Sequence, residues 1–192
     1  MNLPNKLTVG RIALVPFFTA AVLIDFPMHH LAALVLFALA SITDLLDGKI
    51  ARKRGLVTDF GKFADPLADK ILVLAALLCF VQRGCCDCVA VIIVLLREFS
   101  VTSIRLIAAS KGTVIAANIF GKIKTVTQMI AIIAVLFMQS VLDAGNLGVP
   151  LPSALEGIFY ITGEALIWIS TIFALLSGVV YLIQNRAFIQ DK

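Results

Sequence analysis

The sequence predicts an all-α, polytopic membrane protein with six transmembrane helices. Three observations predict it. Apolar residues make up 60% of the 192 positions and mean hydropathy is +1.03, more than one soluble core of this size can absorb. The apolar residues fall into six runs, each near the ~20 residues that cross a bilayer as a helix. Lysine and arginine gather at the ends of these runs on one side, as the positive-inside rule requires.

The runs are 7–25, 31–48, 65–82, 89–109, 117–140 and 158–184. The first follows Met1-Asn-Leu-Pro4-Asn5-Lys6, which is polar rather than strongly basic. No small-residue cleavage site comes after it, so it reads as a helix and not as a cleaved signal. Asp25–His30, with Pro27 as breaker, separates the first two runs. Residues 49–64 are the longest polar stretch and join the second to the third. Arg83–Asp87 is a tight turn, and Ser110–Ala116 joins the fourth run to the fifth. Residues 141–157 hold Asn146, Gly148, Pro150 and Pro152, a turn-rich loop. The runs are continuously apolar, so periodicity does not assign their faces. No repeat or soluble insert divides residues 1–192, which read as one integral membrane domain.

With the N-terminus inside, 14 of the 16 basic residues lie in inner segments or at inner helix ends. Arg83 is the exception outside, and Arg97 falls mid-run. Both termini are therefore expected in the cytoplasm, in a multi-pass protein of the cytoplasmic (inner) membrane. His29 and His30 fall outside and carry no catalytic reading. Net charge is +4. The basic residues punctuate apolar runs and form no stripe, which favours lipid head groups and phosphates over nucleic acid. Cys85, Cys86 and Cys88 sit in the Arg83–Asp87 turn or beside it, with Cys79 upstream. Their spacing assigns no disulfide, and no second pair completes a metal site.

The concentrated chemistry lies in Asp44, Asp47, Asp65 and Asp69, four carboxylates within 26 residues. Acidic groups at a membrane are costly unless paired with cations or metal. Asp44 and Asp47 are i, i+3, and Asp65 and Asp69 are i, i+4, so each pair shares a helix face. Two helix ends joined by a short inner connection would bring the pairs face to face, where like charges repel unless a cation lies between them. Hard carboxylate oxygens suit Mg²⁺ or Mn²⁺, and four of them seat two ions able to clamp a phosphoryl displacement. Gly48 lets a ligand approach the backbone beside the metal, Ala51 is small, and Arg52, one turn on, can fork onto phosphate. Alone, Gly48 would read as a helix end and Arg52 as a head-group anchor.

The full pattern, Asp-x2-Asp-Gly-x2-Ala-Arg-x8-Gly-x3-Asp-x3-Asp, runs from Asp44 through Gly61 to Asp69. It resembles the signature of the CDP-alcohol phosphotransferase family at all eight fixed positions. The resemblance implies a homodimeric six-helix membrane fold with a catalytic site open to the cytoplasm. It implies displacement of CMP from a CDP-linked lipid or alcohol by an acceptor hydroxyl. It makes Asp44, Asp47, Asp65 and Asp69 metal ligands, with two ions per subunit, and makes Asp69 also the general base. Gly48 and Arg52 take the cytidine diphosphate, with Asn5, Thr8 and Thr58 as further contacts to CDP-diacylglycerol.

Four stretches are similar to the branch of that family that uses glycerol 3-phosphate. They are residues 2–11, Gly61 through Lys70, Arg97-Glu98-Phe99 through Leu106, and Gly121-Lys122-Ile-Lys124-Thr125 through Gln128. An arginine within a membrane run needs a partner, and Glu98 is available to Arg97. The similarity implies sn-glycerol 3-phosphate as acceptor, its phosphate held by Arg105, Lys124, Arg97 and Lys122. Inner-side anchoring is the plainer reading of the lysines. The Cys85–Cys88 tip is not part of that branch pattern, and the last third reads as generic membrane helix.

Two other readings remain at this level. A sister enzyme would share the signature and use inositol phosphate, serine or another phosphatidyl group as acceptor. A cation transporter would spread its carboxylates at mid-membrane depth on broken helices, whereas here they cluster with Arg52 at one face.

Overall fold

The computed structural model describes residues 3–54, 59–113, 115 and 119–186, with the side chains of residues 3–7, 44–54, 59–67 and 69 outside that description. The described residues form six helices and no strand. They are α1 Leu3–Leu23, α2 His29–Arg54, α3 Asp59–Gln82, α4 Cys88–Ser110, α5 Ile119–Asn146 and α6 Leu155–Gln184.

Each helix matches one apolar run, but most run past it. The largest difference lies in residues 49–64, expected as a connection. There α2 continues to Arg54 and α3 begins at Asp59. Lys49, Ile50, Ala51, Arg52, Lys53 and Arg54 are mostly good helix formers, and helical hydrogen bonding does not stop where hydropathy does. Asp44 and Asp47 thus lie well inside α2, and Asp65 and Asp69 lie beyond the first turn of α3. In the same way α5 runs to Asn146, which shortens the loop expected over 141–157.

Local signals set the other ends. Asp87 caps α4, its carboxylate accepting from the Val89 amide at 2.8 Å. Gly84 and Gly112 take positive φ at the turns that close α3 and α4. Met28, not a glycine, sits at φ 59° just before α2. Pro16 lies inside α1, where it removes one amide donor, a loss neighbouring helices in a bundle accommodate.

α5 packs along α6, α1 against both α2 and α3, α2 against α5, and α4 against α6. The shared core holds Phe18, Phe37, Leu72, Leu77, Phe80, Val94, Ile132, Leu136 and Ile167. The Phe18 and Phe37 rings meet at 5.8 Å, tilted 49°. The buried stripe of α6 is built mainly from small residues, Gly163, Ser170, Thr171, Ala174, Ser177 and Gly178. Small residues let helix backbones approach closely. A Cβ on Gly163 would stand 3.3 Å from Val135, and one on Gly178 would stand 2.8 Å from Arg97 Cγ.

The outside is as apolar as the inside. Phe17, Leu96, Phe99, Leu106 and Ile161 are among many large apolar side chains left exposed. That is far more than a water-facing surface carries. Among the described residues α5 and α6 are each long and apolar enough to cross a membrane. Thr8–Leu23, His29–Thr43 and Lys70–Gln82 are shorter apolar stretches. α4 carries Arg97 and Glu98 near its middle and Arg105 in its second half.

Candidate active site

A cavity of about 510 Å³ opens between α3, α4 and α5. Its wall includes Lys70, Arg97, Glu98, Arg105, Lys122, Lys124 and Gln128, over an apolar floor of Val73, Leu74 and Val94. The lining therefore sets five cations against one carboxylate. Arg97, Arg105, Lys122 and Lys124, read from sequence as an anion pocket, all line it.

Glu98 organises these cations. Its Oε1 accepts from Arg97 Nη1 at 2.8 Å and from Lys124 Nζ at 2.5 Å. Its Oε2 lies 3.9 Å from Lys70 Nζ. Lys70 also donates to the Thr102 hydroxyl, which in turn donates to the Glu98 carbonyl. The carboxylate holds these side chains in place and offsets part of their positive charge.

α6 braces the two arginines. Arg97 Nη2 donates to Ser177 Oγ at 2.7 Å. Arg105 Nε donates to the Tyr181 hydroxyl at 3.3 Å, and its guanidinium carbon lies 5.5 Å from the Tyr181 ring centroid. Ser177 and Tyr181 carry no sequence signal, because α6 is apolar throughout.

Among the described residues, two buried donors at this cavity have no hydrogen-bond partner, Arg97 Nε and Gln128 Nε2. An unsatisfied buried donor costs about 1–3 kcal/mol. An anion in the cavity would relieve that cost. Five cations against one carboxylate leave the cavity wall with an excess of positive charge.

The aspartate motif adjoins this cavity through α3, where Lys70 directly follows Asp69. Asp44, Asp47, Gly48 and Arg52 lie on α2, and Asp65 and Asp69 on α3. The carboxylates, and the Arg52 side chain, fall outside the described side chains. Both spacings remain helical, so each pair still shares a face of its helix. Four hard oxygen donors on two helices fit a divalent cation of the Mg²⁺ type. Thr8 of α1 is fully buried. Asn5 is in α1 with its side chain undescribed, and Thr58 lies outside the described residues.

A second cluster went unread in the sequence. His29 and His30 at the start of α2 meet Asp143 near the end of α5, all three buried. A separation of 113 residues hides it from any local pattern.

Known proteins place this arrangement. The chain is 42% identical to the CDP-diacylglycerol–glycerol-3-phosphate 3-phosphatidyltransferase of Bacillus subtilis (strain 168), over 96% of this chain and 95% of that protein. It is 36% identical to the protein of the same name from Rickettsia bellii, over 94% and 93%. It is 34% identical to a CMP-forming cardiolipin synthase from Oryza sativa subsp. japonica, over 95% of this chain and 56% of that one. The family model for CDP-alcohol phosphatidyltransferases matches residues 1–176, the aspartate motif and the cation cavity included, and the chain belongs to that family.

Proposed function

We propose that this chain transfers the phosphatidyl group of CDP-diacylglycerol to sn-glycerol 3-phosphate, giving phosphatidylglycerophosphate and CMP. The observation that carries the acceptor choice is the cavity beside Asp69, where five cations surround one carboxylate. Glycerol 3-phosphate brings a dianionic phosphate that such a wall recognises. The two relatives named for this reaction match nearly end to end.

In this reading Arg97, Arg105, Lys122 and Lys124 grip the acceptor phosphate, with Lys70 and Gln128 as further donors. That anchors the glycerol so its free hydroxyl points back along α3 toward Asp69. Asp44, Asp47, Asp65 and Asp69 hold Mg²⁺ or Mn²⁺, two ions per subunit, which supply charge neutralisation for the diphosphate. Asn5, Thr8, Gly48, Arg52 and Thr58 hold the cytidine diphosphate. The acceptor oxygen bonds to the phosphorus that carries diacylglycerol, and the bond from that phosphorus to the CMP oxygen breaks. The hydroxyl proton passes to Asp69. Positioning and electrostatics do most of such work.

The exposed apolar surface supports six membrane crossings in one catalytic domain over 1–192. Lys70, Arg105, Lys122 and Lys124 at one end of the bundle support a cytoplasmic site at the inner membrane. A homodimer is part of the same proposal. The test is CMP release by purified protein from CDP-diacylglycerol, with separate acceptors. Release with glycerol 3-phosphate is expected. Release with inositol phosphate or serine alone would reject it.

The full-chain similarity to a cardiolipin synthase favours one second reading, phosphatidylglycerol as acceptor. Its phosphate is a buried diester with a single charge, a poorer match to five cations. The same assay with phosphatidylglycerol separates the two.

A further inference from the structure

The end of the bundle away from the aspartate motif carries a cluster that the phosphatidyl transfer does not use. His29 begins α2, fifteen residues and so about 22 Å of helix from Asp44. Asp25 comes from the α1–α2 connection, and Asp143 from the last turns of α5. His29 Nδ1 lies 3.2 Å from the Ala21 carbonyl. A carbonyl only accepts, so Nδ1 carries a hydrogen, and the lone pair that a neutral ring offers is the one on Nε2. That lone pair faces Asp143 Oδ1 at 3.6 Å and Asp25 Oδ1 at 3.7 Å.

Those two distances decide what belongs between the atoms. They are too long for hydrogen bonds and stand as ion-pair contacts only when the ring is protonated. They are close to the edge between neighbouring ligands of a small cation, with His29, His30 and Asp143 offering ligand atoms within 4.8 Å of one another and Asp25 reaching in from the exposed connection. Tetrahedral bonds of about 2.0–2.2 Å place ligand atoms about 3.4 Å apart.

The surroundings are those of a ligand set held from behind. The Ala21 carbonyl fixes the His29 ring and its tautomer, the usual outer partner of a metal-binding imidazole. Asp143 is gripped twice by His30, through the backbone amide at 3.0 Å and through Nδ1 at 3.0–3.1 Å. Arg83 Nη2 donates to Asp25 Oδ1 at 2.7 Å and its Nε to the Val22 carbonyl at 2.9 Å, which anchors the second carboxylate. The fourth side is open, because a cavity of about 380 Å³ begins at Asp25, His29, Asp143 and Asn146.

We propose that His29 Nε2, Asp143 and Asp25 form a binding site for a borderline divalent cation of the Zn²⁺ class. Its fourth position faces the cavity, and it is separate from the hard-ion site of the aspartate motif. One imidazole nitrogen with two carboxylates suits Zn²⁺ or Co²⁺ better than Mg²⁺, which takes oxygen and water. Two carboxylates neutralise the ion. His30 positions Asp143, and Arg83 positions Asp25.

The test uses the full chain without a histidine tag, in detergent with excess Mg²⁺. Zn²⁺ is counted by elemental analysis after gel filtration, and Co²⁺ is followed by visible absorption. One Zn²⁺ per chain is expected in the unaltered protein. His29→Gln and Asp143→Asn should each weaken it at least tenfold, and His30→Gln by roughly 10–100-fold as an outer partner. Asp25 is exposed, so Asp25→Asn tests the site without risk to folding, and it too should weaken binding. Serine at Cys85, Cys86 and Cys88 should leave binding unchanged, as should Asp44→Asn. CMP release in Mg²⁺ reports whether each variant outside the aspartate motif is folded, independently of Zn²⁺, and the gel-filtration profile does so for Asp44→Asn. No Zn²⁺ in the unaltered protein overturns the site and leaves the cluster as a hydrogen-bonded clasp. So does Zn²⁺ that survives His29→Gln and Asp25→Asn, or that leaves with the cysteines or Asp44.

Discussion

Lys124 of α5 donates to Glu98 of α4 at 2.5 Å, in a buried contact that the cation cavity shares. The same carboxylate oxygen takes Arg97. Glu98 thus occupies part of the charge that an incoming phosphate would use. Glu98→Gln keeps the shape and removes the countercharge. Without acceptor, the variant should melt below the unaltered protein, since bonds to charged groups contribute about 1.5–3 kcal/mol each. Added glycerol 3-phosphate should then raise its melting temperature by more than it raises that of the parent, as a ligand bound only to the folded state stabilises by mass action. Equal shifts in thermal scans would mean that Glu98 and the phosphate do not share these cations.

Arg105 leans on Tyr181, by a hydrogen bond and by the ring face. Arg105→Ala should raise KM for glycerol 3-phosphate about 10–100-fold, the worth of a charge-assisted bond, with little change in KM for the lipid. Tyr181→Phe keeps the ring and loses the hydroxyl, so its effect should be smaller and in the same direction. Steady-state kinetics with each substrate varied in turn checks both. Equal effects on the two substrates would remove Arg105 from the acceptor site.

Asp44→Ala, Asp47→Ala and Asp65→Ala should each abolish CMP release through loss of divalent-ion binding. Asp69→Asn should keep nucleotide binding while turnover disappears. Cytidine nucleotide binding by calorimetry, set beside CMP release, separates these outcomes. Normal turnover in any one variant strikes that residue from the site.

The three cysteines at the α3–α4 turn should differ sharply in reactivity. Burial pushes the Cys86 thiol up to about 12, and raises that of Cys85 as well. Cys88 is exposed. The thiolate is the reactive form. Iodoacetamide at pH 8 should therefore modify Cys88 well before Cys86, as peptide mass spectrometry would record. Cys86 labelled as fast as Cys88 would contradict its burial.

Asp25 is held below the ordinary carboxylate range by its hydrogen bond to Arg83 and by that residue's charge. A depressed carboxyl contributes stability above its unfolded value, and loses it as pH falls through the folded one. The pair is exposed on the Asp25 side, so the contribution is small. Arg83→Gln should lower the melting temperature slightly at pH 6 and by less as pH falls below the ordinary carboxylate range. A difference that persists at pH 3 would have to come from the Arg83 bond to Val22.

Much of this was legible in the chain. Hydropathy located all six helices, because continuous apolar runs need no tertiary information. It misplaced the ends of α2 and α3, because Lys49–Arg54 and Asp59–Ala64 are polar yet helical. The cavity cations stood out because charge inside an apolar run has few innocent explanations. Ser177 and Tyr181 did not, since a uniformly apolar helix hides which face is buried. The His29–Asp143 contact joins residues too far apart in sequence for any spacing to announce it. The reach of α6 into the cavity is a property of packing alone.

That reach has a consequence for biogenesis. Arg97 and Arg105 are synthesised some eighty residues before Ser177 and Tyr181, the side chains that steady them. A growing polypeptide thus threads its basic residues into the bilayer while their final supports are still unmade. The cation cavity therefore takes the shape described above only once α6 has docked against α4.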